Sequence, residues 1–305
     1  MNVYLALYFY ELSMITICTE SKIFTNSVFE SVSKLIENRI WKIDHLTYKT
    51  WKNNFNSEEE KFLCACLLDS LLYRSNEQIY SCYHSVFYQH IPSLQYKYPE
   101  DFFLKGSILQ KLRTKQNLVK LITIDANGAI GKSSHVIANF LIKEFKILPE
   151  NIISPSDVEE YYDNATMFFI FFDDFLGSGE QFKNQLDFSI KKSWDKGTVL
   201  YCPLIAHETG MEYILKAYPN VVIQPVELIR KDYCFFKKYF SNNGNTPENG
   251  KIFYEDFMTD KGFTADYYGY GSLAVSIAFE HSSPDNCLAV FNGELINGIY
   301  HKLFN

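Results

Sequence analysis

Residues 167–181 read MFFIFFDDFLGSGEQ. Six apolar residues are followed by two adjacent acids and, two residues later, by a Gly-Ser-Gly turn. A continuous apolar run that ends at a turn predicts a central strand of a parallel sheet, because helices cover both faces of such a strand. Ligands bind at the carboxyl ends of these strands. The stretch therefore predicts an α/β fold with a ligand site where the strand ends, around Asp173 and Asp174.

The chemistry of this stretch favours a phosphorylated ligand. Asp173 and Asp174 can accept hydrogen bonds from sugar hydroxyls or hold a hydrated Mg2+. The backbone N–H groups of residues 177–181 can converge on an anion at the start of the next helix. The simpler interpretation is a strand-to-helix turn with a capping acid. Paired acids beside a glycine turn favour the ligand site.

A second segment has the same organisation. Residues 117–125 predict a strand, residues 126–134 (ANGAIGKSS) a glycine-containing loop, and residues 135–145 a helix. Lys132 would supply a point charge, and Ser133 and Ser134 would supply hydroxyl donors to phosphate oxygens. A capped turn without a ligand is the alternative.

Composition limits the class of protein. The chain has 305 residues, of which 47% are hydrophobic, so a sizeable core is expected and disorder is excluded. Its formal net charge of −7 gives no indication of nucleic-acid binding. Residues 1–20 begin apolar but are interrupted by Glu11, and they predict a segment outside the core fold rather than a membrane span. Seven scattered cysteines fit the reduced thiols of a cytoplasmic protein.

Periodicity divides the rest of the chain. Residues 21–111 predict an all-helical module, which we expect to bind a protein partner, and residues 112–305 predict the α/β domain. His207 would either face the ligand as an acid or base or cap the next helix. In the last third, the pattern predicts strands over 196–206 and 221–226, a helix over 208–216, an exposed loop over 241–250 and a helix over 273–279.

The two loops admit two interpretations of different kinds. In one, residues 126–133 form a relaxed P-loop, and Asp173 and Asp174 complete the site of an NTPase. The first glycine of that motif is absent, and residues 177–179 are left without a role. In the other, the Lys132 loop takes a pyrophosphate and the 173–181 loop takes a ribose 5-phosphate. Only the second interpretation uses every feature.

Several segments of the chain resemble those of a known family. Residues 171–181 resemble the phosphoribosyl-diphosphate motif of type I phosphoribosyltransferases. More narrowly, residues 35–290 resemble the phosphoribosyltransferase-like proteins of bacterial conflict systems. The matching segments are, in chain order, Trp51-x3-Phe55, LLDSLLYR (67–74), Gly131-Lys132-Ser133, the 171–181 motif, LYCPLIA (200–206) and PDNCL (284–288).

The resemblance implies a parallel-sheet domain of the type I phosphoribosyltransferase fold, preceded by the helical module. It implies that Asp173 and Asp174 contact the ribose hydroxyls of phosphoribosyl diphosphate, that Mg2+ is the cofactor, and that the role is antiviral defence in bacteria. The family has threonine or serine where this chain has Gln181, whose amide can still donate to phosphate. By resemblance, the pyrophosphate loop comprises Gly131, Lys132 and Ser133, and the 5-phosphate loop comprises Gly177, Ser178, Gly179, Glu180 and Gln181.

One departure from the family keeps the question of turnover open. Residues 147–166 are too few for the mobile loop that closes over the substrate in well-characterised transferases. Such a loop excludes water from the reaction. A catalytically silent module that binds a nucleotide and signals to a partner is therefore the main alternative to a transferase.

Overall fold

The computed structural model describes residues 15–97, 106–115, 118–124, 132–161, 168–189, 198–263, 266–293 and 300–304. The chain forms two compact units. The sheet unit comprises Asn76–Lys231, and the terminal unit combines Met1–Ser75 with Asp232–Asn305. None of the described helices has both the length and the hydropathy that a membrane crossing requires. All seven cysteines are free thiols, four of them buried.

Eight strands are found in the described part of the chain. Most are short, and the two longest, β4 and β5, are neighbours in one sheet. In chain order they are β1 (Leu72–Arg74), β2 (Val119–Thr123), β3 (Ile152–Ile153), β4 (Phe168–Leu176), β5 (Thr198–His207), β6 (Val222–Ile223), β7 (Glu227–Ile229) and β8 (Ile277–Phe279).

Several of the described helices begin at a side-chain cap. Ser57 and Glu60, for example, form a capping box at the start of α3. The α-helices are α1 (Thr19–Glu37), α2 (His45–Lys52), α3 (Glu58–Ser70), α4 (Asn76–Ser85), α5 (Ile91–Lys97), α6 (Ile108–Leu112), α7 (Lys132–Phe145), α8 (Val158–Tyr161), α9 (Glu180–Ser189), α10 (Glu208–Ala217), α11 (Phe235–Tyr239) and α12 (Pro247–Asp260). A π-helical turn (Val86–His90) joins α4 to α5, and 3-10 turns cover Pro149–Asn151, Pro155–Asp157 and Tyr270–Ser272.

The main sheet lies in the sheet unit and is parallel throughout. Its strand order is β3-β2-β4-β5-β6, with β7 also paired to β5. β4 is central: Phe168–Phe172 pair with Val119–Thr123 of β2, and on the other side β4 pairs with β5 from Phe168 opposite Thr198 onward. The predicted parallel α/β architecture is thus confirmed.

Both faces of β4 are covered, which explains its continuous apolar run. On one face Phe171 contacts Phe182 of α9, with ring centroids 5.2 Å apart. On the other face Phe172 contacts Phe87 at 5.5 Å and Tyr83 of α4 at 5.6 Å. An alternating polar and apolar pattern would have left one of these faces unable to pack.

The terminal unit has a separate core made from both ends of the chain. Trp51 donates a hydrogen bond from its indole N–H to the carbonyl of Val290 (3.0 Å). The rings of Phe55 and Phe257 stack with centroids 4.8 Å apart. A parallel pairing of β1 with β8 completes this unit.

Two local predictions for the last third of the chain were wrong. The predicted helix over 273–279 is replaced by β8, because Ser272 and Ala274 have positive φ (53° and 50°) and interrupt helical geometry. The predicted exposed loop over 241–250 ends early, since α12 begins at Pro247 behind a capping box of Thr246 and Asn249.

The two compact units divide the chain elsewhere than at the predicted residue 112. α4, α5 and α6, predicted within the helical module, belong to the sheet unit, where Phe87 of the π-helical turn contacts Phe145 of α7 at 5.1 Å. The chain segment around Tyr83 therefore covers the central strand.

At the N-terminus, residues 1–14 of the predicted segment 1–20 lie outside the described residues, and Ile15 is 4% exposed.

Candidate functional site

The two acids lie within β4 and not at its end. The strand continues to Leu176, and Asp173 is paired with Pro203 of β5. On the other side, the pairing of β4 with β2 stops at Phe172 opposite Thr123. The predicted end of the strand at the acids was thus wrong, because β5 is long enough to keep pairing. The acids nevertheless stand just beyond the carboxyl end of β2.

Asp173 is held by two hydrogen bonds. Its carboxylate accepts from the hydroxyl of Tyr201 (2.8 Å) and from the backbone N–H of Asp174 (2.9 Å). Burial raises the pKa of Asp173 well above its ordinary value, and the neighbouring charge of Asp174 raises it further. Asp174 is itself only 8% exposed. Two carboxyls thus share a poorly solvated position, which favours a proton, a cation or a hydroxyl donor there.

The two acids start from opposite faces of the strand, but their carboxyls come within hydrogen-bonding reach of each other. Side chains alternate along a strand, so Asp173 shares the face of Phe171 and Asp174 the face of Phe172. Tyr201 stacks on Phe182 of α9 with ring centroids 3.8 Å apart, which fixes its hydroxyl toward Asp173. One cation or hydroxyl donor could therefore contact both carboxyls.

Two buried tyrosines accompany the acids. Tyr201 and Tyr83 are both 0% exposed. Burial raises the pKa of each well above its ordinary value. Among the neighbouring charges, Asp173 has the largest effect on Tyr201 and Asp174 the largest on Tyr83. We call Asp173, Asp174, Tyr83 and Tyr201 the acid–tyrosine cluster.

The sequence patterns did not single out either tyrosine. Tyr201 lay in the predicted strand 196–206 and Tyr83 in a predicted helix of another module. A phenol inside an apolar strand or helix usually has a polar partner when it is buried. This rule would have marked both tyrosines as candidates for a polar contact, but it would not have identified the partner.

The glycine loop connects β4 directly to α9. Gly177 and Gly179 are buried, Ser178 is half-buried, and Glu180 and Gln181 are exposed. The hydroxyl of Ser178 accepts from the N–H of Glu180 (3.4 Å). Gly179 has φ +87°, a conformation that favours glycine. The predicted loop and helix start are present, with the carboxylate of Glu180 in the first turn of the helix.

α10 packs closely behind this loop. A Cβ atom on Gly210 would lie 2.1 Å from the carbonyl oxygen of Gly177 and 3.2 Å from the backbone nitrogen of Gly179. A Cβ atom on Gly179 would in turn lie 2.9 Å from the carbonyl oxygen of Gly210. Glycine at both positions lets the two backbones touch, so the loop is braced from behind. Sequence reasoning had placed Gly210 only within a helix.

The second predicted anion loop is described in part. α7 begins at Lys132 and includes Ser133 and Ser134, while Gly131 lies outside the described residues. β2, which precedes α7, and β4, which precedes α9, are adjacent parallel strands. Both helices therefore start at the same edge of the sheet, where helix N-termini favour anions.

His207 has one of its two predicted roles in the structure. It is the N-cap of α10, and its Nδ1 accepts from the N–H of Thr209 (3.3 Å). His207 is 4% exposed, and burial lowers its pKa. It is a capping residue.

A metal site of three or more protein ligands is absent among the described residues, where histidines, cysteines and acids form no such group. The adjacent carboxylates of Asp173 and Asp174 suit Mg2+, which is usually bound by one or two carboxylates together with waters and substrate phosphates. The raised pKa of Asp173 fits this use, because a cation would relieve the repulsion between the two acids.

Comparison with known proteins identifies the family of the chain. No curated protein matched the chain. The family model PRTase-CE matches residues 48–304, which include the whole sheet unit, part of the terminal unit and all four residues of the acid–tyrosine cluster. The chain belongs to the PRTase-CE family and is a phosphoribosyltransferase-like protein.

Proposed function

We propose that the site binds phosphoribosyl diphosphate together with Mg2+. The observation that carries the proposal is the placement of Asp173 and Asp174 beside two helix starts at one edge of a parallel sheet. The acids would accept hydrogen bonds from the ribose hydroxyls. The backbone N–H groups of residues 177–181 would receive the 5-phosphate, and the start of α7 at Lys132 would receive the pyrophosphate.

Mg2+ would be held by Asp173, Asp174 and ligand oxygens. When bound, it would supply positive charge that neutralises the pyrophosphate group. Lys132 would add a second positive charge to the same group. Gln181 would contribute an amide donor near the 5-phosphate where the family uses a hydroxyl.

The proposed reaction is transfer of the phosphoribosyl group to an acceptor nucleophile, with release of pyrophosphate. The resemblance to proteins of bacterial conflict systems supports a cytoplasmic role in anti-phage defence. A protein partner would bind the helical segments of the terminal unit, where Ile23 and Leu46 are 64% and 71% exposed.

A binding module without turnover is the second candidate. Residues 149–161, which follow α7, form two 3-10 turns, β3 and α8 rather than a long covering loop. If no covering loop exists beyond what the described residues show, the site would exclude water poorly, which disfavours reaction at an anomeric carbon. In this case the bound ligand would act as a signal to the partner.

One pair of assays tests these functions. The protein is titrated calorimetrically with phosphoribosyl diphosphate and with ATP, each with Mg2+. Binding of ATP alone would favour a P-loop NTPase that uses residues 126–133. If phosphoribosyl diphosphate binds, pyrophosphate release is then measured with a panel of bases and amines. Release with any of them supports the transferase, and binding without release supports the silent module.

A further inference from the structure

Tyr83 carries a deeply buried hydroxyl. Tyr83 is 0% exposed, and its ring packs between Phe172 (5.6 Å) and Phe140 (5.7 Å). Its hydroxyl has no hydrogen-bond partner among the described residues. Leaving such a group unpaired costs about 1–3 kcal/mol, and most buried polar groups avoid this cost. Packing alone therefore does not explain why a hydroxyl is buried at this position.

Tyr83 lies on the Asp174 side of β4. Its ring contacts Phe172, which shares a strand face with Asp174. Of the charges that act on Tyr83, the largest comes from Asp174 and the next from Asp173. The phenol thus lies in the same region as the acids, although it belongs to a different element, α4.

The chemistry of this region matches a sugar hydroxyl. A hydroxyl both donates and accepts a hydrogen bond, so a site that holds one needs an acceptor and a donor. Asp174 supplies the acceptor. The other tyrosine of the cluster is not free to supply the donor, because Tyr201 already donates to Asp173 at 2.8 Å.

We propose that Tyr83 is a ligand-contacting residue whose hydroxyl donates a hydrogen bond to the ribose hydroxyl held by Asp174. This inference rests on the proposed function, since it takes the ligand to be a phosphorylated ribose. It makes α4 part of the binding site. It also gives the site a means to prefer a sugar that carries the hydroxyl over a deoxy sugar, which would offer the hydroxyl of Tyr83 no acceptor.

Tyr83→Phe tests the inference because it removes only the hydroxyl. The Kd for phosphoribosyl diphosphate with Mg2+ is measured by calorimetry, and the Tm of the protein without ligand is measured by circular dichroism. We expect the Kd to rise about threefold to tenfold, the equivalent of one hydrogen bond. We expect the Tm without ligand to be unchanged or higher, because the substitution removes an unpaired polar group.

Tyr48→Phe is the matched control. Tyr48 is 2% exposed, its ring likewise packs in a hydrophobic core, and it belongs to the terminal unit. Its substitution should leave the Kd unchanged. The comparison separates a ligand contact from a general effect of removing a buried hydroxyl.

The outcomes distinguish this inference from the proposed function. If wild type binds and Tyr83→Phe binds equally well, the inference fails and the proposed function stands. If Tyr83→Phe weakens binding but also lowers the Tm without ligand, Tyr83 is structural and the inference fails. If wild type does not bind phosphoribosyl diphosphate, both fail. A higher Kd with an unchanged or higher Tm, seen for Tyr83→Phe and not for Tyr48→Phe, supports it.

Discussion

Asp173→Asn should change thermal stability in opposite directions at pH 4 and pH 8. The carboxyl of Asp173 accepts two hydrogen bonds, from Tyr201 (2.8 Å) and from the backbone of Asp174 (2.9 Å). Asparagine has one acceptor oxygen, so the substitution loses one of them, at a cost of about 0.5–1.5 kcal/mol. At pH 4, which lies close to the ordinary pKa of 3.8, little of the penalty for ionising the folded carboxyl has developed, so this loss is the main effect.

The gain at high pH comes from the raised pKa of Asp173. A carboxyl whose pKa is higher in the folded than in the unfolded protein makes folding less favourable as the pH rises from the unfolded to the folded pKa. Each unit of difference is worth about 1.4 kcal/mol. Asparagine does not titrate, so folding of the variant does not become less favourable in this way. In a unit of this size, 1.4 kcal/mol corresponds to a Tm change of about 3–6 °C.

The assay is thermal unfolding of wild type and variant, followed by circular dichroism at several pH values from 4 to 8. Acids that do not interact with Asp173 titrate equally in both proteins and cancel in the difference, whereas Asp174 loses a neighbouring charge in the variant. We expect the Tm difference, variant minus wild type, to be negative at pH 4 and to increase steadily with pH. A difference that is constant or decreases with pH would refute the raised pKa. Asp187→Asn is the control: it removes the 2.7 Å ion pair with Lys183 and should lower or leave unchanged the Tm at pH 7.

Two further substitutions test the packing around the site. Gly210→Ala should lower the Tm by several degrees, measured by circular dichroism, and weaken ligand binding, measured by calorimetry. The reason is that the new Cβ would lie 2.1 Å from the carbonyl oxygen of Gly177 and displace the loop. Tyr201→Phe keeps the stacking on Phe182 but removes the donor to Asp173, so it should cost about 1–3 kcal/mol of unfolding free energy in urea denaturation at pH 7. Wild-type stability in that assay would contradict the hydrogen bond.

The sheet could be predicted because its signal is local. The run from Phe168 to Phe172 is apolar at every position, which only a strand covered on both faces requires. The strand–loop–helix order around Lys132 and the helix start at Glu180 were likewise predictable from a few neighbouring residues. The family resemblance extended these local signals to the fold.

The rest depended on contacts between distant parts of the chain. Tyr201 follows Asp173 by 28 residues, and its bond arises only from the register of β4 with β5. β8 pairs with β1 from Leu72 opposite Ile277, a partner that no local pattern could indicate. Tyr83 belongs to a helix whose periodicity showed that it is amphipathic but not which surface it covers.

The most direct test of the central claim is calorimetric titration of wild type and Asp174→Asn with phosphoribosyl diphosphate and Mg2+. The substitution keeps the shape of the side chain and removes the charged acceptor. We predict saturable binding to wild type and a Kd about tenfold to a hundredfold higher for the variant, the value of a hydrogen bond to a charged group. No binding to wild type, or equal affinities for the two proteins, would contradict the assignment of this site.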